Sequence, residues 1–293
     1  MMPPEQEQID HWIKVRKESL RRTQDAIRTG FFEKNNIPSQ SIYTGDAISH
    51  ATLARAKFLN GDPIEEVRAE FAQAARCILK SFRMAYDLTD PDYVGDRWPP
   101  PNPQYTGRPD SVVEAKWLDP GYGEVSWADV GEVWFIEGID YALMAADFAL
   151  AKELAGWFRD PPDGVLMDKE VNDYAHDLKL CVLEAWDEAL ARLEAHAEYY
   201  QAFPPTRNDY RRNYCTLTTA LHGIAARDAA RFNEGLRMQL EFHAHEAKGE
   251  LKDTSEEFIC DHAVALANLG LHRSLPVTVE DDRLPRGLLI APA

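Results

Sequence analysis

The sequence predicts an all-α fold: an irregular bundle or short solenoid of stacked helical hairpins, with a Pro-rich irregular insert and a short extended C-terminal tail. Apolar residues recur at helical spacing through most of the chain, as in Val67, Phe71, Ala74, Ala75, Ile78 and Phe82. Segments with that spacing start at Asp, Ser or Thr and stop at Gly or Pro. Short runs of small residues end in an Asp that can cap the next helix, first at 142–147 and again at 223–228. With 45% apolar residues among 293, the chain can fill one core, so 1–293 is expected to be a single helical domain.

The opening helix is expected over 9–29, with Trp12, Ile13, Leu20 and Ile27 on one face and Gly30 as its stop. A second, Ala-rich helix covers about 44–60 and ends at Asn60-Gly61. Asp62, Pro63 and Glu65 have the pattern of an N-cap, a first helical position and a capping box for the third. Together these make up N-terminal helices to residue 88. An irregular insert at 89–125 follows, in which Trp98-Pro99-Pro100-Pro101-Asn102-Pro103 removes backbone donors and enforces extended geometry.

Helical hairpins are expected over 126–274. Ser126 caps a helix to about Ala146, Asp147 restarts the chain through Trp157 or Phe158, and 161–164 breaks it. Residues 168–200 read as one long helix ended by Pro204-Pro205. Helices from Asn208 or Asp209 to Ala226 and from Asp228 to Lys248 come next, and a last one starts at Thr254 with Glu257 closing a capping box. Ala142 to Asp147 echoes Gly223 to Asp228, with 53–62 a looser copy, and the small residues would let paired helices approach closely. The tail, 275–293, holds an extended Pro276-Val277-Thr278-Val279, a turn around Asp281-Asp282, and an apolar end expected to pack on the bundle.

No stretch approaches the ~20 unbroken apolar residues that span a bilayer. The first residues lack the apolar core of a signal peptide, so the expected location is cytoplasmic. Cys77, Cys181, Cys215 and Cys260 form no CxxC pair and read as reduced core thiols. Net charge is −17 and uneven: residues 1–83 hold 13 Lys and Arg against 11 Asp and Glu, the remainder 19 against 38. Such a field repels nucleic acid and anionic lipid and favours encounter with a basic protein.

Catalytic patterns are sparse. Glu241-Phe-His243-Ala-His245-Glu246 puts its two histidines about 200° apart on a helix, too far round to share a metal. Glu241 and His245 could share one with Asp261 and His262 from the next helix, which keeps a metal-dependent hydrolase using His243, His245, Asp261 and His262 as an alternative. Gly121-Tyr-Gly123 lacks the lysine and strand of a phosphate loop, and Cys215 with His222 sits on a mostly apolar helix. No metal, cofactor or catalytic residue is assigned.

The segment 84–140 combines 12 acidic residues against three basic ones with interleaved Tyr, Trp and Phe. Aromatics set among acids on an irregular scaffold fit a binding hot spot for a basic protein surface, with Asp90, Asp92, Asp96, Trp98, Trp117 and Glu124 as contacts. A lid of tryptophans folded over the core is the competing interpretation.

Two stretches carry a family resemblance: Gly138-Ile-Asp-Tyr-Ala-Leu-Met-Ala-Ala-Asp147-Phe-Ala-Leu-Ala, and Ala263-Val-Ala-Leu-Ala-Asn-Leu-Gly-Leu-His-Arg-Ser with Leu275-Pro-Val and Leu284-Pro-Arg-Gly-Leu-Leu289. With them the chain resembles bacterial polymorphic-toxin immunity proteins, most nearly the immunity protein 49 family. That resemblance implies a non-enzymatic helical protein that binds a cognate secreted or contact-delivered toxin, often a nuclease, and blocks it in the cytoplasm. A helical-repeat scaffold or adaptor is the further alternative.

Overall fold

The computed structural model describes residues 4–35, 40–98, 123–162, 165, 168–206 and 209–291. Periodicity predicts helices, and helices form: α1 (Gln6–Thr29), the four-residue α2 (Phe31–Lys34), α3 (Gln40–Asn60), α4 (Ile64–Tyr86), α5 (Glu132–Met144), α6 (Phe148–Trp157), α7 (Lys169–Val182), α8 (Trp186–Ala202), α9 (Arg211–Ala226), α10 (Ala229–Glu246) and α11 (Asp261–His272). Among the described residues, strand is confined to a parallel pair, β1 (Asp96–Arg97) against β2 (Val125–Ser126), which ties the two ends of the irregular insert together. Most of that insert, including Trp117, lies outside the described residues.

One turn recurs at four helix–helix junctions and again at the end of the last helix among the described residues. After α3, Gly61 is left-handed (φ 80°) and the Asp62 N–H donates to Lys57 O at 3.0 Å. After α5 the same roles fall to Ala146 (φ 60°) and to Asp147 with Ala142, at 2.9 Å. After α7 they fall to Glu184 (φ 61°) and to Ala185 with Leu180, at 2.9 Å. After α9, Arg227 has φ 56° and Asp228 reaches Gly223 at 2.8 Å; after α11, Ser274 has φ 63° and Leu275 reaches Gly270 at 2.9 Å. Each is a Schellman stop that satisfies the last helical carbonyls. Asp147 and Asp228 then cap the following helices, accepting from Leu150 N and from Ala230 and Arg231 N, each at 3.0 Å.

The turn after α7 corrects the expectation of a single helix over 168–200. Its left-handed residue is Glu184 and no Asp follows, so neither sequence signal of a stop is present. Two capping boxes are also revised. Pro63, with no side-chain cap, precedes α4, and Asp62 instead accepts from Asn60 Nδ2 at 2.6 Å. Residues Ser255–Glu257 are a 3-10 turn in which Glu257 accepts from the Asp253 N–H at 2.8 Å, and the last helix starts at Asp261. Ser126 caps a short 3-10 turn, Trp127–Asp129, ahead of α5.

Helices α9 and α10 pack closely, because Gly223 and Gly235 present no side chain there. A Cβ at Gly223 would fall on the backbone of Phe232, and one at Gly235 on that of Ala220. The core runs continuously from Ala47 to Leu288 and centres on α5 and α11. Every residue of α11 from Ala263 to Leu271 is buried, and α5 is apolar round most of its circumference and buried along most of its length, with Val133 left exposed. Asn268, fully buried, donates to Leu143 O and Leu288 O and accepts from Ile290 N, so the tail packs on the bundle as expected. Asn233 does the same further up the tail, with Pro276 O and Thr278 N. Among the described residues, no helix is long and apolar enough to cross a membrane.

Candidate functional site

The start of the predicted binding segment is built on the end of α4. Asp90 is buried at 8% exposure, where it meets Lys80 Nζ at 2.5 Å and Arg83 Nε at 3.6 Å and accepts the Asp92 N–H at 2.9 Å. Burial opposes its charge, but these partners outweigh it and hold its pKa below the ordinary value. Asp92 shares Lys80 at 2.7 Å, and Asp87 pairs with Arg83 at 3.1 Å while holding the Thr89 N–H and hydroxyl. Asp96 accepts from the Trp98 indole N–H, and Glu124 lies 3.9 Å from Arg97. Of the six residues chosen from sequence, Asp92, Asp96 and Glu124 are exposed, Trp98 is half-buried, Asp90 takes its partners from within the chain, and Trp117 is outside the described residues.

These pairs hold a loop that turns apolar side chains outward. Leu88 is 78% exposed and Tyr93 40%. Beside them, Ile27, Tyr43, Met84, Asp92 and Val94 line a recess of about 290 Å³ among α1, α3 and α4. Sequence reasoning chose the acids and rings here but not Leu88, whose single apolar position in a turn gives no periodic signal.

A second site lies where α3, α5, α10 and α11 converge with the 251–260 connection. It is a cleft of about 310 Å³ whose wall includes Trp134, Glu137, Asp140 and Tyr141, at helical spacing on one side of α5. From α3, Arg55 enters at 2% exposure; its Nε lies 3.1 and 3.0 Å from the two Asp261 carboxylate oxygens, and its Nη1 lies 3.1 Å from Glu256. His262 Nδ1 stands 2.5 Å from Asp140 Oδ2, and Tyr141 donates its hydroxyl to Glu137 at 3.0 Å. His243 Nε2 donates to Glu256 O at 2.9 Å, which leaves Nδ1 as the lone-pair nitrogen.

The electrostatics follow from depth. Burial pushes the Glu137 carboxyl up to about 7, against the pull of the Tyr141 hydroxyl and the Arg55 charge. Burial drives His243 down to about 4, so its imidazole is neutral at pH 7. His262 goes the other way: burial opposes its charge, but Asp140 outweighs burial and raises its pKa. Cys260 also lines the cleft, with its thiol pushed up to about 12 by burial and held protonated. The arrangement can accept hydrogen bonds, hold positive charge, and exchange a proton through His262, whose side chain keeps 30% exposure.

Of the four residues in the hydrolase alternative, His243, Asp261 and His262 meet in this cleft, and His245 does not. His245 lines a separate recess with Glu241, Arg212 and Arg283, so the expected sharing of Glu241 and His245 with Asp261 and His262 is not formed. The helical angle between His243 and His245 explains the split. Among the described residues, no group of three or more His, Cys, Asp or Glu is placed to hold a metal. Asp281 serves its turn, accepting from Arg283 Nε at 2.7 Å. Arg55, Glu137 and Asp140 escaped sequence reasoning because each sits inside an otherwise apolar helical stretch, where only a buried charge in an Ala-rich or Ile-rich context hints at a partner.

Compared with known proteins, the chain matches no family model, no curated protein and no solved structure.

Proposed function

We propose that the chain is an immunity protein that binds a cognate bacterial toxin with a basic surface and neutralises it by occlusion. One observation carries this: the 87–98 loop is fixed by Lys80 and Arg83 on α4, yet it turns Leu88 and Tyr93 to solvent among carboxylates. A loop held in place before binding loses little entropy when a partner arrives, and exposed apolar groups set among acids suit a basic surface with an apolar centre. The chain's net charge of −17 speeds encounter with such a partner.

The test is co-expression with the products of the flanking reading frames. A toxic product should be neutralised and should co-elute with the chain in a stoichiometric complex. Leu88→Ser combined with Tyr93→Ser, and separately Trp98→Ala, should weaken that complex at least tenfold while thermal stability is unchanged. Neither neutralisation nor complex formation with any flanking product would remove the proposal.

A second reading is favoured by the meeting of His243, Asp261 and His262 in one cleft. It is a hydrolase in which His262, paired with Asp140, moves a proton for the reaction. Hydrolysis of a panel of esters, phosphoesters and amides that is lost in His262→Gln but kept in Leu88→Ser would select this reading over the first.

A further inference from the structure

The cleft under Trp134 holds more hydrogen-bond acceptors and negative charge than the chain itself uses. Two of its side chains are more than nine-tenths buried and each has a polar atom with no partner among the described residues: Asp140 Oδ1, on a residue 1% exposed, and His243 Nδ1, on a residue 7% exposed. Both atoms are acceptors, one on a carboxylate and one on an imidazole whose other nitrogen donates to Glu256 O. Unmet buried acceptors cost free energy that a donor-rich ligand restores.

Charge points the same way. Arg55 is already committed to Asp261 and Glu256, and His262 to Asp140. Glu137 is left with the Tyr141 hydroxyl and forms no ion pair among the described residues. An anion entering here would meet four carboxylates. A neutral ligand would leave the ionised Glu137 with only the attraction of Arg55 and His262, each already paired with another carboxylate. A planar guanidinium carries five donors, no acceptor and one positive charge, and it stacks on an indole face such as that of Trp134. At about 310 Å³ the cleft is at the small end of ligand sites, and Ile48 and Leu251 supply apolar wall for the methylenes of such a group.

We propose that this cleft is a binding site for a guanidinium group, with Glu137 as its counter-ion and Trp134 as its stacking wall. The group belongs either to an arginine side chain of another protein or to a free small guanidine, and the chemistry of recognition is the same for both. The proposal does not rest on the toxin-binding reading. It also fixes a pH signature. Binding favours ionised Glu137, so affinity should rise between pH 6 and 8. The groups facing Glu137 are Arg55 from α3, Tyr141 on its own helix, Tyr214 from α9, Glu256 from the connection and His262 from α11. His262 loses charge as pH rises, which acts in the same direction.

The experiment titrates the full chain by calorimetry and by indole fluorescence with three probes: agmatine, a blocked pentapeptide centred on arginine, and the same peptide with citrulline in its place. Saturable binding of agmatine or the arginine peptide, at least tenfold tighter than the citrulline peptide, is expected. Tighter binding of the peptide assigns the source to a protein side chain, and tighter binding of agmatine assigns it to a free ligand. Glu137→Gln, which keeps the Tyr141 hydrogen bond, should weaken binding at least tenfold with its thermal transition no lower than wild type. Trp134→Leu should weaken it severalfold and supplies an independent check on the wall. No saturable binding by either guanidine, equal affinity for the citrulline peptide, or wild-type affinity in Glu137→Gln would overturn the proposal.

Discussion

His262 on α11 and Asp140 on α5 meet at 2.5 Å across 122 residues of chain, joining the two most enclosed helices through a carboxylate that is 1% exposed. The pair sits at the edge of the same cleft as Arg55 and Glu137, so the stability of the helical core and the chemistry of the cleft are linked.

Glu137 makes that link measurable. Its pKa is raised by burial from an ordinary 4.5 to about 7, so the folded state holds a proton that the unfolded state has lost between those values. Stability should therefore fall as pH rises from about 5 to 8, by at most about 3 kcal/mol at 1.36 kcal/mol per pK unit. His262, with a raised pKa, adds in the same sense: its contribution is present below its unfolded value and lost as pH rises through its folded one. Denaturant unfolding across that range should show a shallower decline in Glu137→Gln than in wild type. Parallel curves would show that Glu137 is not the group responsible.

Arg55 is buried and depends on Asp261 and Glu256 for its charge. Asp261→Asn should cost about 3 kcal/mol, because removing one partner of a buried pair leaves the other uncompensated. The measurement is a chemical denaturation midpoint at pH 7. A cost under 1 kcal/mol would mean that Glu256 alone suffices.

The α9–α10 contact should tolerate nothing larger than glycine. Gly223→Ala or Gly235→Ala would drive a methyl into backbone that cannot move aside, and a loss of about 3 kcal/mol or more is expected by thermal melting. Ala at Gly156, where a Cβ meets nothing within 4 Å, should be neutral or slightly stabilising and serves as the control.

The Schellman turns predict the opposite sign. Ala146 and Arg227 hold left-handed backbone at φ 60° and 56° without being glycine. Ala146→Gly and Arg227→Gly should each stabilise the fold by about 1 kcal/mol, the strain relieved exceeding the entropy added to the unfolded chain. A lower melting temperature in both would mean that the side chains contribute more than their strain removes.

How much of this was legible beforehand depended on the range of the interaction. Helices α1, α3, α4, α6 and α10 follow from apolar spacing and from breaks within a few residues of their ends, although the cap expected for α4 is not formed, and the hairpin turns at 142–147 and 223–228 follow likewise. The break at Glu184 was not legible, because its left-handed residue is not a glycine and no aspartate cap follows it directly. The candidate sites divide in the same manner. Composition drew attention to acids and rings near residue 90, but only the fold shows that Asp90 turns inward to Lys80 while Leu88 turns outward.

By itself, the sequence determined that this protein is helical, acidic, and assembled from hairpins with small residues at their crossings, because those properties arise from periodicity and neighbouring residues. Tertiary structure alone decided that Arg55, Glu137, Asp140, His243, Asp261 and His262 share one cleft. They come from four helices, and which charge faces which is set by how those helices cross, something no local pattern encodes.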